Sequence, residues 1–177
     1  MSFISPEDIY SLMEGLMARV WKQELDQDIQ TPFPRMPYEE AMARFGSDKP
    51  DTRFGMELVD LSDIAANSGF QVFSGTVAKG GIVKALNAKG CATMSRSAID
   101  GLIKVVKPYG ARGLAWFKVN EDGWQGPIVK FLSDAAKKAM KERLQLEVGD
   151  VAFFVADQQS VTDASLCALR LHFGDIL

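Results

Sequence analysis

The chain has 177 residues, of which 47% are hydrophobic and 24% charged, and its formal net charge is −3. These proportions are typical of an ordinary soluble protein, and no run of about 18 apolar residues is present to span a membrane. The slightly acidic balance argues against a domain that binds phosphates over a wide surface, because phosphate contacts need clustered cations.

The first predicted element is a helix that follows Ser5. Ser5 can cap this helix, and Pro6 suits its first turn. Apolar side chains then recur at intervals of three and four residues, at Ile9, Leu12, Met13, Leu16, Met17, Val20 and Trp21. Because so wide an apolar stripe has to be covered, we expect it to pack on another surface. A second, short helix is predicted from Tyr38 to Arg44, after Pro37.

A polar loop follows the second helix and is the most distinctive part of the chain. It comprises Ser47, Asp48, Lys49, Pro50 and Asp51 and is closed by Arg53. Two carboxylates, an ammonium and a guanidinium therefore lie within seven residues, on a segment that proline makes partly rigid. Such a loop can bind a polar ligand or join two domains through ion pairs. A purely structural loop is the alternative, because exposed charge clusters are common and contribute little energy.

The remainder of the chain predicts alternating strands and helices. A brief, partly helical segment is expected over residues 56–64. Strands are predicted at 70–77, 82–86, 114–119 and 151–156, the first two as a hairpin. Helices are predicted at 133–144, at 161–173 and in a segment that Ser95 or Ser97 can cap and that Pro108 and Gly110 end. The order β-β-α-β-β-α, with one extra helix inserted, predicts an α+β fold: a two-layer sandwich with a four-stranded sheet and helices on one face. We place an N-terminal helical arm at 1–55 and the α+β domain at 56–177.

The sequence contains no recognisable catalytic or metal-binding motif. His172 is the single histidine, so no histidine pair can hold a metal, and we expect no catalytic residue in this chain. Cys91 and Cys167 are expected to be small buried residues in a reducing cytosol, since the start of the chain lacks the features of a secretory signal. Trp124 is predicted on a loop, either as a partner contact or as a lid over the sheet edge. The densest basic stretch is interpreted as a solvated helix face and contains Lys137, Lys138, Lys141 and Arg143.

Several segments together resemble the bacterial-type aspartyl-tRNA synthetases. They are Thr31–Met36, Phe45–Gly55, Tyr109–Val119, Pro127–Leu132 and Ala168–Leu171. The resemblance covers essentially the whole chain and implies the region between motif 2 of the synthetase and its insertion domain. That insertion is a GAD domain, which one subunit of the tRNA-dependent amidotransferases also carries. The family's β-β-α-β-β-α architecture agrees with the predicted order. The arm at 1–55, which the resemblance makes part of the synthetase catalytic domain, favours the synthetase over the amidotransferase.

The resemblance also implies a division of labour. In the family, the ATP-binding arginines and the aspartate-binding histidine lie in motifs that would precede Met1 and follow Leu177. We therefore expect an excised insertion region of a cytoplasmic ligase that uses ATP, Mg and tRNA(Asp), without aminoacylation activity of its own. The chain would act near the active-site entrance or the tRNA acceptor end. The alternatives are a tRNA-interaction domain of an amidotransferase or free-standing paralogue and, more remotely, a small independent enzyme acting through the polar loop.

Two expectations concern contacts. The residues expected at the active-site rim or in contact with tRNA are Ser47, Asp48, Lys49, Asp51 and Arg53. The apolar stripe of the first helix should pack on the catalytic domain of the same polypeptide. In the isolated chain we expect that stripe to cause self-association, because exposed apolar patches of that extent are uncommon on monomers.

Overall fold

Residues 3–176 are described by the computed structural model, in which the chain divides into two units, Met1–Pro37 and Tyr38–Leu177. The first unit contains helix α1, Pro6–Leu25, and its predicted start is confirmed. The Asp8 N–H donates to Ser5 Oγ at 3.3 Å and the Ser5 N–H donates to Asp8 Oδ2 at 2.8 Å, which forms a capping box. No residue of α1 is buried, and Leu12 in its apolar stripe is 72% exposed.

The proline-rich segment after α1 folds back along the same helix. The Phe33 N–H donates to Glu14 Oε1 at 3.1 Å, and the Arg35 guanidinium lies 4.3 Å from the centre of the Tyr10 ring. The hydrogen bond to a carboxylate and the cation–π contact hold this segment against α1, and its prolines already restrict the backbone. Of the helices in residues 3–176, none has the length and apolar character that a membrane crossing needs.

The second unit contains seven α-helices, three short 3-10 helices and five strands within the described residues. The helices are α2 (Tyr38–Phe45), α3 (Ser62–Ala66), α4 (Gln71–Ala78), α5 (Arg96–Gly101), α6 (Ile103–Val106), α7 (Asp134–Arg143) and α8 (Gln159–Gly174). The strands are β1 (Leu58–Asp60), β2 (Ile82–Ala88), β3 (Ala115–Asn120), β4 (Gly123–Gln125) and β5 (Val151–Asp157). The Ser95 side chain caps α5 and the Ser133 side chain caps α7.

The strands form one antiparallel sheet in the order β1-β2-β5-β3-β4. β5 is the central strand. It pairs with β2 from Ile82–Asp157 to Ala88–Val151, and with β3 from Ala115–Phe154 to Lys118–Val151. A central position for this strand is what its uninterrupted apolar sequence predicts, because a strand covered on both faces needs no polar side.

Both faces of the sheet are covered by helices. Phe153 and Val155 point into a core that α5, α6 and α8 complete, whereas Ala152 and Phe154 point into a core that α3, α4 and α7 complete. The predicted α+β class is confirmed. The expected four strands and single helical face are wrong in detail: β1 and β4 are short edge strands without a long apolar signal, and β5 carries apolar side chains on both of its faces, so each face requires a cover.

The predicted strand over residues 70–77 is also wrong, because this segment forms α4. Phe70, Phe73 and Val77 recur at helical spacing, and Phe73 is buried against Phe154 with ring centres 5.6 Å apart. The Thr76 hydroxyl donates to the Val72 carbonyl at 2.8 Å, so the polar side chain is satisfied within the helix. Aromatic and β-branched residues favour strands, but this segment cannot pair with β2 as predicted, because β1 and β5 occupy both sides of β2.

Candidate functional site

The polar loop that the sequence singles out connects α2 to β1 and lies on the surface of the second unit. Asp48 and Lys49 are exposed, and Ser47 Oγ accepts a hydrogen bond from the Lys49 N–H at 3.2 Å. Arg53 is 88% exposed in its side chain, and its Nη2 donates to Asp51 Oδ2 at 2.6 Å. The structure therefore brings the five predicted residues into one loop, with three charged groups facing solvent.

The Asp51 carboxylate forms an ion pair with Arg53 within the loop. The side chain of Arg53 and its backbone N–H, which donates to Asp51 Oδ1 at 3.0 Å, together lower the pKa of Asp51 to about 2. Asp51 is consequently ionised at neutral pH and held by its neighbour. Of the loop's two carboxylates, only Asp48 is left to meet a partner, so the loop does not present paired carboxylates for a metal ion.

A buried arginine from α8 fixes the base of the loop. Arg170 is only 1% exposed, and its Nη2 donates to the backbone carbonyls of Asp51 at 2.7 Å and of Phe54 and Gly55 at 2.9 Å each. Its Nε donates to the Met56 carbonyl at 3.1 Å. Burial lowers the pKa of the guanidinium, which nevertheless stays protonated. Four backbone carbonyls of the loop and of the residues that follow it thus converge on one cation.

Aromatic rings complete the enclosure of Arg170. The guanidinium carbon lies 4.2 Å from the centre of the Phe54 ring and 4.8 Å from that of Phe45. A β-carbon on Gly174 would collide with the Phe54 ring, so α8 can approach the loop only because position 174 lacks a side chain. We call Arg170, Phe45 and Phe54 the arginine clamp. The clamp makes the loop a rigid feature of the domain.

A second buried charge lies where α2 meets α8. Lys84 Nζ donates to Asp163 Oδ1 at 2.6 Å, with the two side chains 5% and 2% exposed. The same ammonium donates to the Ala43 carbonyl at 3.2 Å, at the C-terminal end of α2, where the helix dipole favours a cation. Gly46 follows with φ +69°, and a β-carbon there would collide with the Asp163 carbonyl. The ion pair thus sets where the polar loop begins.

Comparison with known proteins identifies the family of this chain. The family model described as the GAD domain matches residues 73–166, which is more than half of the chain. The chain belongs to the GAD domain family. The matched segment runs from α4 into α8 and so includes the central strand of the sheet and helices from both of its faces, but not α3.

Similar proteins match the chain beyond residues 73–166 as well. An Aspartate--tRNA(Asp/Asn) ligase of Desulfosudis oleivorans is 54% identical over 177 residues, which is 100% of this chain and 30% of the relative. The corresponding ligase of Bacillus cytotoxicus is 53% identical over 174 residues, covering 98% of this chain and 30% of the relative. The GAD chain therefore spans about 30% of the length of the curated relatives it matches.

Sequence reasoning missed the buried charges that organise the GAD chain. None of them belongs to a known motif, but each is a charged residue within an apolar element: Lys84 lies in an apolar strand, and Asp163 and Arg170 lie in an apolar helix. A charge in such a place needs a buried partner, since an isolated charge is too costly to desolvate. The partners could not be read from the sequence, because Arg170 reaches carbonyls that lie more than 110 residues earlier in the chain.

Proposed function

We propose that the chain is the insertion region of an aspartate–tRNA ligase and serves as an accessory domain near the active-site entrance or the tRNA acceptor end. The observation that carries this proposal is the 54% identity to a ligase over all 177 residues, although the GAD family model matches only 73–166. A GAD domain of an amidotransferase or a free-standing paralogue would account for the matched segment but not for the N-terminal residues. The ligase of which this chain is a part would act in the cytoplasm.

The polar loop is the part of the domain that we propose meets the active-site rim or the tRNA. Lys49 and Arg53 offer exposed cations to an anionic partner, and Asp48 offers an exposed carboxylate. The arginine clamp supports this role because a rigid loop loses little conformational entropy on contact. ATP and Mg would be bound by the remainder of the ligase, since the described loop residues form neither a nucleophile–base pair nor a free carboxylate pair.

A chimeric ligase tests the proposal. Residues 1–177 replace the matching segment of the Bacillus cytotoxicus ligase, and aspartylation of tRNA is measured beside a variant in which that segment is deleted. We expect the chimera to charge tRNA and the deletion variant to fail, because the insertion completes the frame of the substrate site. The isolated chain should catalyse no ATP–pyrophosphate exchange. A folded chimera that is as inactive as the deletion variant, or clear exchange by the isolated chain, would contradict the proposal.

The apolar stripe of α1 leads to a second prediction. Leu12, Met13 and Leu16 are 72%, 49% and 51% exposed, so we propose that this stripe packs on the catalytic domain in the ligase and on a second copy in the isolated chain. Sedimentation equilibrium should show a concentration-dependent dimer for the chain. The double variant Leu12→Gln/Leu16→Gln should sediment as a monomer, with Glu7→Gln as a control that leaves association unchanged. A strictly monomeric unaltered chain would sink the idea.

A further inference from the structure

A small groove beside the edge strand β4 combines an aromatic side chain with a cluster of cations. Its volume is about 380 Å³, and it is lined by Trp124, Val129, Lys137, Lys138 and Lys141. In a chain whose net charge is −3, three lysines at one groove form a local positive field. The groove joins two elements that the sequence keeps apart, β4 and α7, and neither the polar loop nor the arginine clamp belongs to it. We call it the Trp124 groove.

The indole in this groove is held in a fixed orientation. Trp124 stacks on the buried Phe117 ring with centres 4.2 Å apart and planes inclined by 14°. Trp124 lines the groove and is partly exposed, whereas Phe117 does not line it. A flat aromatic surface that is already immobilised can stack on a planar ligand without further ordering.

The lysines supply charge that the domain itself leaves largely unneutralised. Lys137 lies 3.5 Å from the Asp134 carboxylate, an exposed i,i+3 pair of little energetic value. Within residues 3–176, neither Lys138 nor Lys141 has a carboxylate within 4.0 Å, and both are exposed. All three lysines belong to α7 at spacings of one, three and four residues, which places them on adjoining parts of one helix surface.

We propose that the Trp124 groove binds single-stranded RNA, with a base stacked on Trp124 and neighbouring phosphates held by Lys137, Lys138 and Lys141. Immobilised aromatic rings beside clustered cations are the features that bind an unpaired strand without regard to sequence. An acidic peptide would satisfy the lysines but would leave the indole without a planar partner. The inference rests on the proposed function, because the tRNA of the ligase would supply the unpaired strand.

The test measures binding of a fluorescein-labelled, 12-nucleotide single-stranded RNA to the full chain by anisotropy at several salt concentrations. We expect the plot of log affinity against log salt to have a slope of about −2, since each single-strand phosphate contact contributes roughly −0.7. In Lys137→Ala/Lys138→Ala/Lys141→Ala the slope should approach zero. In Lys89→Ala/Lys104→Ala/Lys107→Ala, which removes three exposed lysines outside the groove, it should not change. Trp124→Leu should weaken binding about tenfold at constant slope.

Four outcomes would overturn the inference: no binding of the RNA, equal loss in both lysine triples, full affinity in a folded Trp124→Leu variant, or polyglutamate that binds as tightly as the RNA. Circular dichroism on each variant separates lost binding from lost folding, and the lysine triples keep the test valid if Trp124→Leu does not fold. An active chimera with a groove that binds no RNA would reject this inference alone. A groove that binds RNA in a chain whose chimera is inactive would reject only the proposed function.

Discussion

Replacing Arg170 by methionine is expected to lower the free energy of unfolding by roughly 3–5 kcal/mol, the cost of leaving several buried polar groups without partners. Methionine fills most of the same space but donates no hydrogen bond. The carbonyls of Asp51, Phe54, Gly55 and Met56 would therefore lose a shared donor, and the rings of the arginine clamp would lose their cation. Urea unfolding followed by circular dichroism measures the change.

The matched control for this variant is Arg112→Met. Arg112 is 93% exposed in its side chain and lies 4.0 Å from Asp157, so its removal should change the free energy of unfolding by less than about 0.5 kcal/mol. A second measurement separates a local from a global effect: trypsin should cut after Arg53 faster in Arg170→Met than in the unaltered chain, because the loop opens first. Equal stability of Arg170→Met and the control would show that the clamp contributes nothing.

Asp163→Ala is expected to have a similarly large effect, for a different reason. The substitution leaves the buried Lys84 ammonium without its carboxylate, and breaking a buried ion pair from one side typically costs about 3–5 kcal/mol. The double variant Lys84→Met/Asp163→Ala should be less destabilised than the sum of the two single variants, with a coupling energy of roughly 1–3 kcal/mol. Chemical denaturation of the four chains gives the complete cycle.

The exposed pair between Arg143 and Asp63 is the comparison for this cycle. Arg143 Nη2 donates to Asp63 Oδ2 at 2.8 Å, but the two side chains are 42% and 64% exposed. Asp63→Ala should therefore cost less than about 1 kcal/mol. If Asp163→Ala cost no more than Asp63→Ala, burial of the Lys84 pair would have no energetic consequence, and its role in placing α2 would have to be abandoned.

Local chemistry explains which parts of the fold the sequence predicts well. Ser5 and Pro6 determine the start of α1 through groups within one helical turn, and the apolar run from Val151 to Ala156 identifies a covered strand regardless of its partners. The segment 71–78 fails for the opposite reason. Its residues favour a strand, but in the folded sheet both sides of β2 are occupied by β1 and β5, and the segment is a helix.

The candidate site divides in the same way. The sequence alone identifies the candidate site residues of the polar loop, because they are close together in the sequence and are too polar to belong to a core. They are Ser47, Asp48, Lys49, Asp51 and Arg53. Their support by Arg170 could not be named, since nothing local to α8 identifies four backbone carbonyls as the acceptors of a buried guanidinium. The pairing of Trp124 with lysines of α7 likewise depends on tertiary structure, because β4 is a three-residue strand with no pattern of its own.

The central position of β5 has a consequence for how this protein emerges from the ribosome. β2 pairs with β1 and β5, and β3 pairs with β4 and β5, so no strand pairing joins the two halves of the sheet until β5 arrives. Earlier in translation the strands can pair only as two separate two-stranded ribbons, which are marginal in water. The domain is therefore expected to remain open to chaperones throughout most of its synthesis and to close in a single late step.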